Sequence, residues 1–222
     1  MVRSSRSSAR ALLSALLITL ASVAEGVTLD ERLDGIHSLH ATFEQKGGDA
    51  PVQTGEIWID DRGRYRIDVL TPSVQNMVSD GKKTWHFDAD LAQVTITQAV
   101  RNVGEVPVML FVTDGADLDE HFRIADFDDE TRVHYVLEPR AESSHFRSVA
   151  LAFDDGVPTL ITINDNLGNR IAITLTSVEL NRRAPDERFS LPIPAGVDEI
   201  DDTATIPAAS SAKETGDAHR QR

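Results

Sequence analysis

After one short amphipathic stretch, the hydrophobic pattern of this 222-residue chain takes the period of a strand and keeps it almost to the end. Thr28-Leu29-Asp30-Glu31 has the form of a capping box, and Leu29, Leu33 and Ile36 follow at helical spacing, which predicts one early helix. The spacing of apolar residues then drops to two. Leu39, Ala41 and Phe43 alternate with His40, Thr42 and Glu44, while Ile57 and Ile59 flank Trp58. Tyr65, Ile67 and Val69 alternate with Arg64, Arg66 and Asp68. Further strand-like runs occupy 74–79, 84–88, 93–98, 132–138, 147–154, 159–164, 170–180 and 188–191, giving 11 in all. Asp61-Arg62-Gly63, Thr71-Pro72, Ser79-Asp80-Gly81, Asp154-Asp155-Gly156 and Asn166-Leu167-Gly168 punctuate them as turns. Short, hairpin-linked strands at this spacing predict one antiparallel sheet, a sandwich or a barrel.

Two stretches break the pattern. Residues 101–127 carry Val106-Pro107-Val108-Met109-Leu110-Phe111 and Leu118-Asp119-Glu120-His121-Phe122, which read as short helices lying over the sheet. From about Asp201 the chain turns polar and rich in small residues, so 201–222 is expected to be a disordered tail.

The amino terminus reads as an address. Arg3, Arg6 and Arg10 precede a 14-residue apolar run, Ala11 to Ala24, and Ser22 and Ala24 form a small-x-small site before Glu25. That run is short for a bilayer span, which predicts a signal peptide over 1–24 and secretion to a bacterial periplasm. Removing those three arginines takes the formal charge from −14 to −17. Such acidity argues against nucleic acid and against adhesion to anionic lipid. The absence of cysteine excludes disulfides, thiolate catalysis and cysteine-ligated metals.

No constellation in the sequence points to catalysis. His37 and His40 lie at the helix-to-strand junction without a third ligand at metal spacing. The acidic cluster Asp126, Asp128, Asp129 and Glu130 lacks the glycine and the distal glutamate of a calcium loop. Ser79-Asp80-Gly81 is set among hairpin strands, not in a nucleophile elbow, and no glycine-rich phosphate loop is present. The expectation is a protein that is not an enzyme, with neither cofactor nor metal.

Leader, helix and strand order together resemble the outer-membrane lipoprotein carriers of the LolA family. The resemblance spans Leu29 to Ile200 and rests on Leu39-His40-Ala41-Thr42-Phe43-Glu44-Gln45, Gly55-Glu56-Ile57-Trp58-Ile59, Gly63-Arg64-Tyr65-Arg66 and Val78-Ser79-Asp80-Gly81-Lys82-Lys83-Thr84-Trp85. Pro107-Val108-Met109-Leu110, Asp165 with Gly168, Asn181, and the run from Phe189 to Asp198 complete it. The resemblance implies a mainly β fold over residues 25–200: an unclosed, strongly curved antiparallel barrel of about 11 strands, with helices forming a lid over an apolar cavity. It also implies a monomeric periplasmic chaperone for lipoprotein acyl chains. Such a chaperone is loaded by an inner-membrane ATP-driven release complex and delivers to an outer-membrane receptor. A carrier of another lipid or lipid-linked molecule, or a lipoprotein-sensing regulator, shares that fold.

Residues nominated for the cavity are Trp58, Tyr65, Met77, Trp85, Phe87, Val108, Leu110 and Phe111, each equally suited to filling core. In the family an arginine, just before a proline, commonly follows the tryptophan strand by three residues and is associated with lid closure and hand-off. Here Asp61 and Arg62 hold those two positions, which leaves Arg62, Arg64 and Arg66 as the residues nominated for that role.

Overall fold

The computed structural model describes residues 27–99, 107–112, 115–128, 132–141 and 146–203. Helix α1 (Leu29–Leu33) leads into β1 (Ser38–Gly47), β2 (Gln53–Asp60), β3 (Arg64–Thr71), β4 (Gln75–Ser79), β5 (Lys83–Asp88) and β6 (Gln93–Gln98). A 3-10 helix (Pro107–Val112) and α2 (Gly115–His121) interrupt the strands. Then come β7 (Phe122–Asp128), β8 (Val133–Pro139), β9 (Phe146–Asp154), β10 (Val157–Asp165) and β11 (Arg170–Leu180). A second 3-10 turn (Asp186–Phe189) precedes β12 (Asp198–Asp201).

All twelve strands belong to one sheet, in the order β12-β6-β5-β4-β3-β2-β1-β11-β10-β9-β8-β7. Every pairing is antiparallel except β12 on β6, and the sheet ends on β7 and β12 without closing. The predicted series therefore needs three amendments. Strand β7 falls almost wholly inside the stretch read as helical, because only Phe122 and Ile124 of it pack on the core, while Phe127 is exposed. The run 188–191 ends a 3-10 turn instead of forming a strand. Strand β12 has four exposed residues and no apolar alternation to reveal it.

Local signals hold where they were specific. In α1, Thr28 Oγ1 accepts from the Glu31 amide at 3.3 Å and Glu31 Oε2 accepts from the Thr28 amide at 3.0 Å, while Leu29 and Leu33 are buried. Asn181, at φ +60°, closes the far end of β11 onto this helix. Its Oδ1 accepts from the His37 amide at 2.8 Å and its Nδ2 donates to the Gly35 carbonyl at 2.7 Å. The turn at Gly168 (φ +92°) is organised by Asp165, which accepts from the amides of Leu167 and Asn169 and from the Asn169 side chain. These bonds, led by the Asn169 side chain, hold the Asp165 carboxyl below its ordinary range.

Register divides the sheet into two faces. Leu39, Ile59 and Tyr65 stand in one cross-strand row, and Ala41, Ile57, Ile67 and Met77 in the next. These residues share a core with Phe43, Tyr135, Leu137, Leu151, Phe153, Ile161 and Leu175, and they define the inner, concave face. The alternate residues His40, Trp58, Arg66, Val78, Trp85 and Ile96 form a continuous row on the outer face.

Gly55 sits at the irregularity between β2 and β3, where a Cβ would lie 1.9 Å from the Asp68 carbonyl oxygen and 2.7 Å from the Phe43 ring. One of those neighbours is backbone, so the strands would have to part. Gly55→Ala is expected to destabilise the protein by at least about 2 kcal/mol, as overpacking does. A denaturation midpoint equal to that of the unchanged protein would show that β2 and β3 separate freely here.

Candidate functional site

The concave face is plugged by the segment that interrupts the strands. The 3-10 helix Pro107–Val112 packs against β2 and β10, which β1 and β11 separate within the sheet, so it bridges the hollow. Leu110 and Phe111 are 0% exposed and join the inner core, and Phe111 meets Phe153 edge-on with ring centroids 5.9 Å apart. Leu118 of α2 is equally buried, and α2 touches α1. Helix α1 is tied to the sheet by Arg32, whose Nε donates to the Tyr135 hydroxyl at 3.0 Å and whose guanidinium lies 5.4 Å from the Phe153 ring centroid. Tyr135 in turn donates to the Val27 carbonyl.

The nominated cavity residues separate by strand parity. Tyr65 and Met77 lie on the inner face with Leu110 and Phe111; Tyr65 is buried and shares a hydroxyl hydrogen bond with Thr84 Oγ1 at 3.2 Å. The side chain of Val108 lies outside the described residues. Trp58, Trp85 and Phe87 are on the outer face and do not line this hollow. Trp58 is stacked between His40, 3.6 Å away, and the Arg188 guanidinium at 4.9 Å. Trp85 pairs across to Val78 and Ile96, and Phe87 to Asn76 and Val94, in a second apolar layer.

That layer explains the arginines as well. Arg64 and Arg66 share the outer parity, and Arg62 lies in the adjoining turn, so none reaches the plug on the opposite face. Arg62 and Arg64 gather instead around Asp60, a buried carboxylate that carries no signature in the sequence. Arg64 Nη2 donates to Asp60 Oδ2 at 2.7 Å, and Arg62 Nε donates to the same oxygen at 3.1 Å. Arg64 Nη1 continues to Asp186 Oδ1 at 2.8 Å, and its guanidinium lies 4.2 Å from the buried Phe189 ring. Arg66 pairs with Asp68 and donates to the carbonyls of Arg188 and Ser190, each at 3.3 Å.

The three arginines thus clasp the C-terminal segment to β3. Between Ser190, bonded to β3, and Asp198, paired with Gln93 of β6, the chain must cross β4 and β5. This is where Val78 and Val94 are 0% exposed on the outer face. At the end of β12, the Asp201 carboxyl accepts from the Thr203 hydroxyl and amide, which hold it below its ordinary range.

Residues 34–192 match the family model described as outer membrane lipoprotein carrier protein LolA. An outer-membrane lipoprotein carrier protein of Alkalilimnicola ehrlichii is 30% identical over 194 residues, covering 85% of this chain and 89% of that protein. One from Halorhodospira halophila is 32% identical over 157 residues, 71% and 74% of the two chains. Among solved structures, an uncharacterised conserved protein of Thermus thermophilus superposes with a TM-score of 0.50 at 13% identity, covering 77% of this chain and 97% of that one, a likeness of fold.

Removing the buried charge at the centre of the clasp should release the C-terminal segment first. Asp60→Asn leaves Arg64 with Asp186 and leaves Arg62 open to solvent, so the loss should fall short of a fully buried pair, roughly 2–3 kcal/mol. Trypsin should then cut at Arg182, Arg183 or Arg188 well before it cuts the sheet. Cleavage there at the unchanged protein's rate would show that the clasp does not hold the segment.

Proposed function

The chain belongs to the LolA family of outer-membrane lipoprotein carriers, and from that premise we propose that it carries lipoprotein acyl chains across the periplasm as a soluble monomer. The observation that carries this reading is the seating of Leu110 and Phe111, without exposure, in the hollow of a sheet that does not close. Burying those two side chains stabilises the plugged state by roughly 3–6 kcal/mol. One acyl chain of about 16 carbons, at ~0.8 kcal/mol per CH₂, gains on the order of 12 kcal/mol on leaving water. An acyl chain can therefore displace the plug and keep the hollow dry throughout, whereas the empty carrier does not hold its apolar wall open to water.

The exchange is between like surfaces and calls for no bond chemistry, nucleophile or cofactor. Moving the cargo from a bilayer into the hollow gains no hydrophobic energy and must displace the plug, at roughly 3–6 kcal/mol, so loading needs an energy source outside the chain. In this reading an inner-membrane ATP-driven release complex supplies it, and an outer-membrane receptor takes the cargo. Residues 1–24 serve as the secretory leader and 25–200 as the carrier domain; the leader and residues 204–222 lie outside the described residues. Among the described residues no helix is long and apolar enough to cross a membrane.

Purified protein added with ATP to spheroplasts of the source bacterium should release lipoproteins as one-to-one soluble complexes. Leu110→Glu should unseat the plug while keeping the sheet's circular dichroism, so that the empty variant binds a fluorescent apolar dye more strongly than the unchanged protein, because the carboxylate cannot be desolvated in the hollow without a partner. No ATP-dependent release by the unchanged protein would end the carrier reading, and equal dye binding by the variant would remove the plug from the mechanism.

A further inference from the structure

The inner face changes character between β4 and β5. Across the register, Ser79 of β4 faces Thr84 of β5 and then Thr97 of β6; Met77 faces His86 and then Thr95; Gln75 faces Asp88 and then Gln93. The apolar floor of the hollow thus runs from β7 to β4, where half-buried Ile67, Val69 and Met77 pack on the core. It then meets a wall of hydroxyl, imidazole and amide groups. We propose that this β5–β6 wall, with Thr95, Thr97 and His86 at its centre, receives the ester and amide groups where acyl chains join the lipoprotein. The inference rests on the carrier reading and adds to it the part of the cargo that is not hydrocarbon.

Three observations favour cargo over plain solvation. First, the wall is nearly free of charge. Its one carboxylate, Asp88, already accepts from the Gln75 side chain at 3.2 Å and from the amides of Asp90 and Leu91. The solvated outer face of β1 and β2, by contrast, carries the ions Glu44, Lys46 and Glu56. Second, Thr95 and Thr97 are half-buried, and the wall is continuous with the floor through the Met77–His86 pair. Third, donors remain available. Thr95 Oγ1 accepts from Gln93 Nε2 at 3.2 Å, leaving its proton for another acceptor, and no described partner engages the Thr97 hydroxyl or the His86 ring. Ester and amide carbonyls accept without donating, so hydroxyl protons suit them, and neutral partners spare the cost of desolvating an ion.

The test uses two ligands that differ in this junction and share the chain. A tripalmitoylated cysteinyl peptide and 1-hexadecanol are each used to displace a fluorescent apolar dye from the purified protein. The double variant Thr95→Val and Thr97→Val keeps shape and β-branching while removing both hydroxyls. It should weaken the lipopeptide about tenfold, as the loss of two hydrogen bonds does, and change hexadecanol by less than twofold. His86→Leu should separate the two ligands in the same direction, with hexadecanol the tighter. Unchanged lipopeptide affinity in both variants would overturn the proposal by making the wall a solvated face. Equal weakening of both ligands would overturn it by making the threonines part of the scaffold of the hollow. If the unchanged protein binds neither ligand, the carrier reading itself fails, and the wall with it.

Discussion

A sheet of twelve strands that does not close must keep parts of both faces dry, and no single layer can do it. From β7 round to β4 the apolar residues point inward, and the plug at Leu110 and Phe111 with helices α1 and α2 covers them. From β4 to β6 they point outward, as Val78, Trp85, Val94 and Ile96 do, and the C-terminal segment crosses that face. Strand β4 is the hinge of this exchange, with Met77 packed on the inner core and its neighbour Val78 buried on the other side. Because side chains alternate strictly, a strand can serve both layers only where both of its faces are covered. The position of the C-terminal segment therefore decides where the hollow's apolar floor can end.

The two coverings are made of different chemistry, and their tasks differ accordingly. The outer one is directional: Asp60, Arg62, Arg64 and Asp186 are bonded in series, Arg66 reads two backbone carbonyls, and Trp58 is held between His40 and Arg188. Substituting another chain for this segment would take Asp186 from Arg64 and two backbone carbonyls from Arg66, so the fit is particular to this segment. The inner covering at Leu110 and Phe111 is apolar packing, which has no preferred direction and accepts any hydrocarbon of suitable volume. Polar latching on the inner side would make exchange with an acyl chain expensive. Placing the arginines outside keeps the scaffold fixed while the plug remains replaceable.

Much of this was legible in the chain because period, caps and turns are local properties. The alternation through Tyr65, Ile67 and Val69, the capping box at Thr28, the Asp165 turn and the interruption around Leu110 each carry their own signature within a few residues. The side on which a strand's apolar set falls is not local. Trp85 and Phe87 alternate as cleanly as Ile57 and Ile59, and only the register through Val78 and Met77 shows that they belong to opposite layers. Strand β12 escaped notice because parallel pairing at an edge asks nothing of its side chains, all four of which are exposed. The arginines read as a solvated face or a latch because the partners that fix them, Asp186, Phe189 and the carbonyls of Arg188 and Ser190, lie more than a hundred residues away.

The same parity argument bears on the wall of β5 and β6. Once Val94 and Ile96 are committed to the outer layer, their neighbours Gln93, Thr95 and Thr97 must face the hollow, whatever fills it. On the solvated outer side of β1 and β2, by contrast, Glu44, Lys46 and Glu56 meet the water. Threonine and glutamine satisfy a narrower requirement, a surface that hydrogen-bonds without strongly binding water or counter-ions. A cargo whose hydrocarbon ends in carbonyl groups presents that requirement at the edge of an apolar floor, and in this fold that edge lies between Met77 and His86.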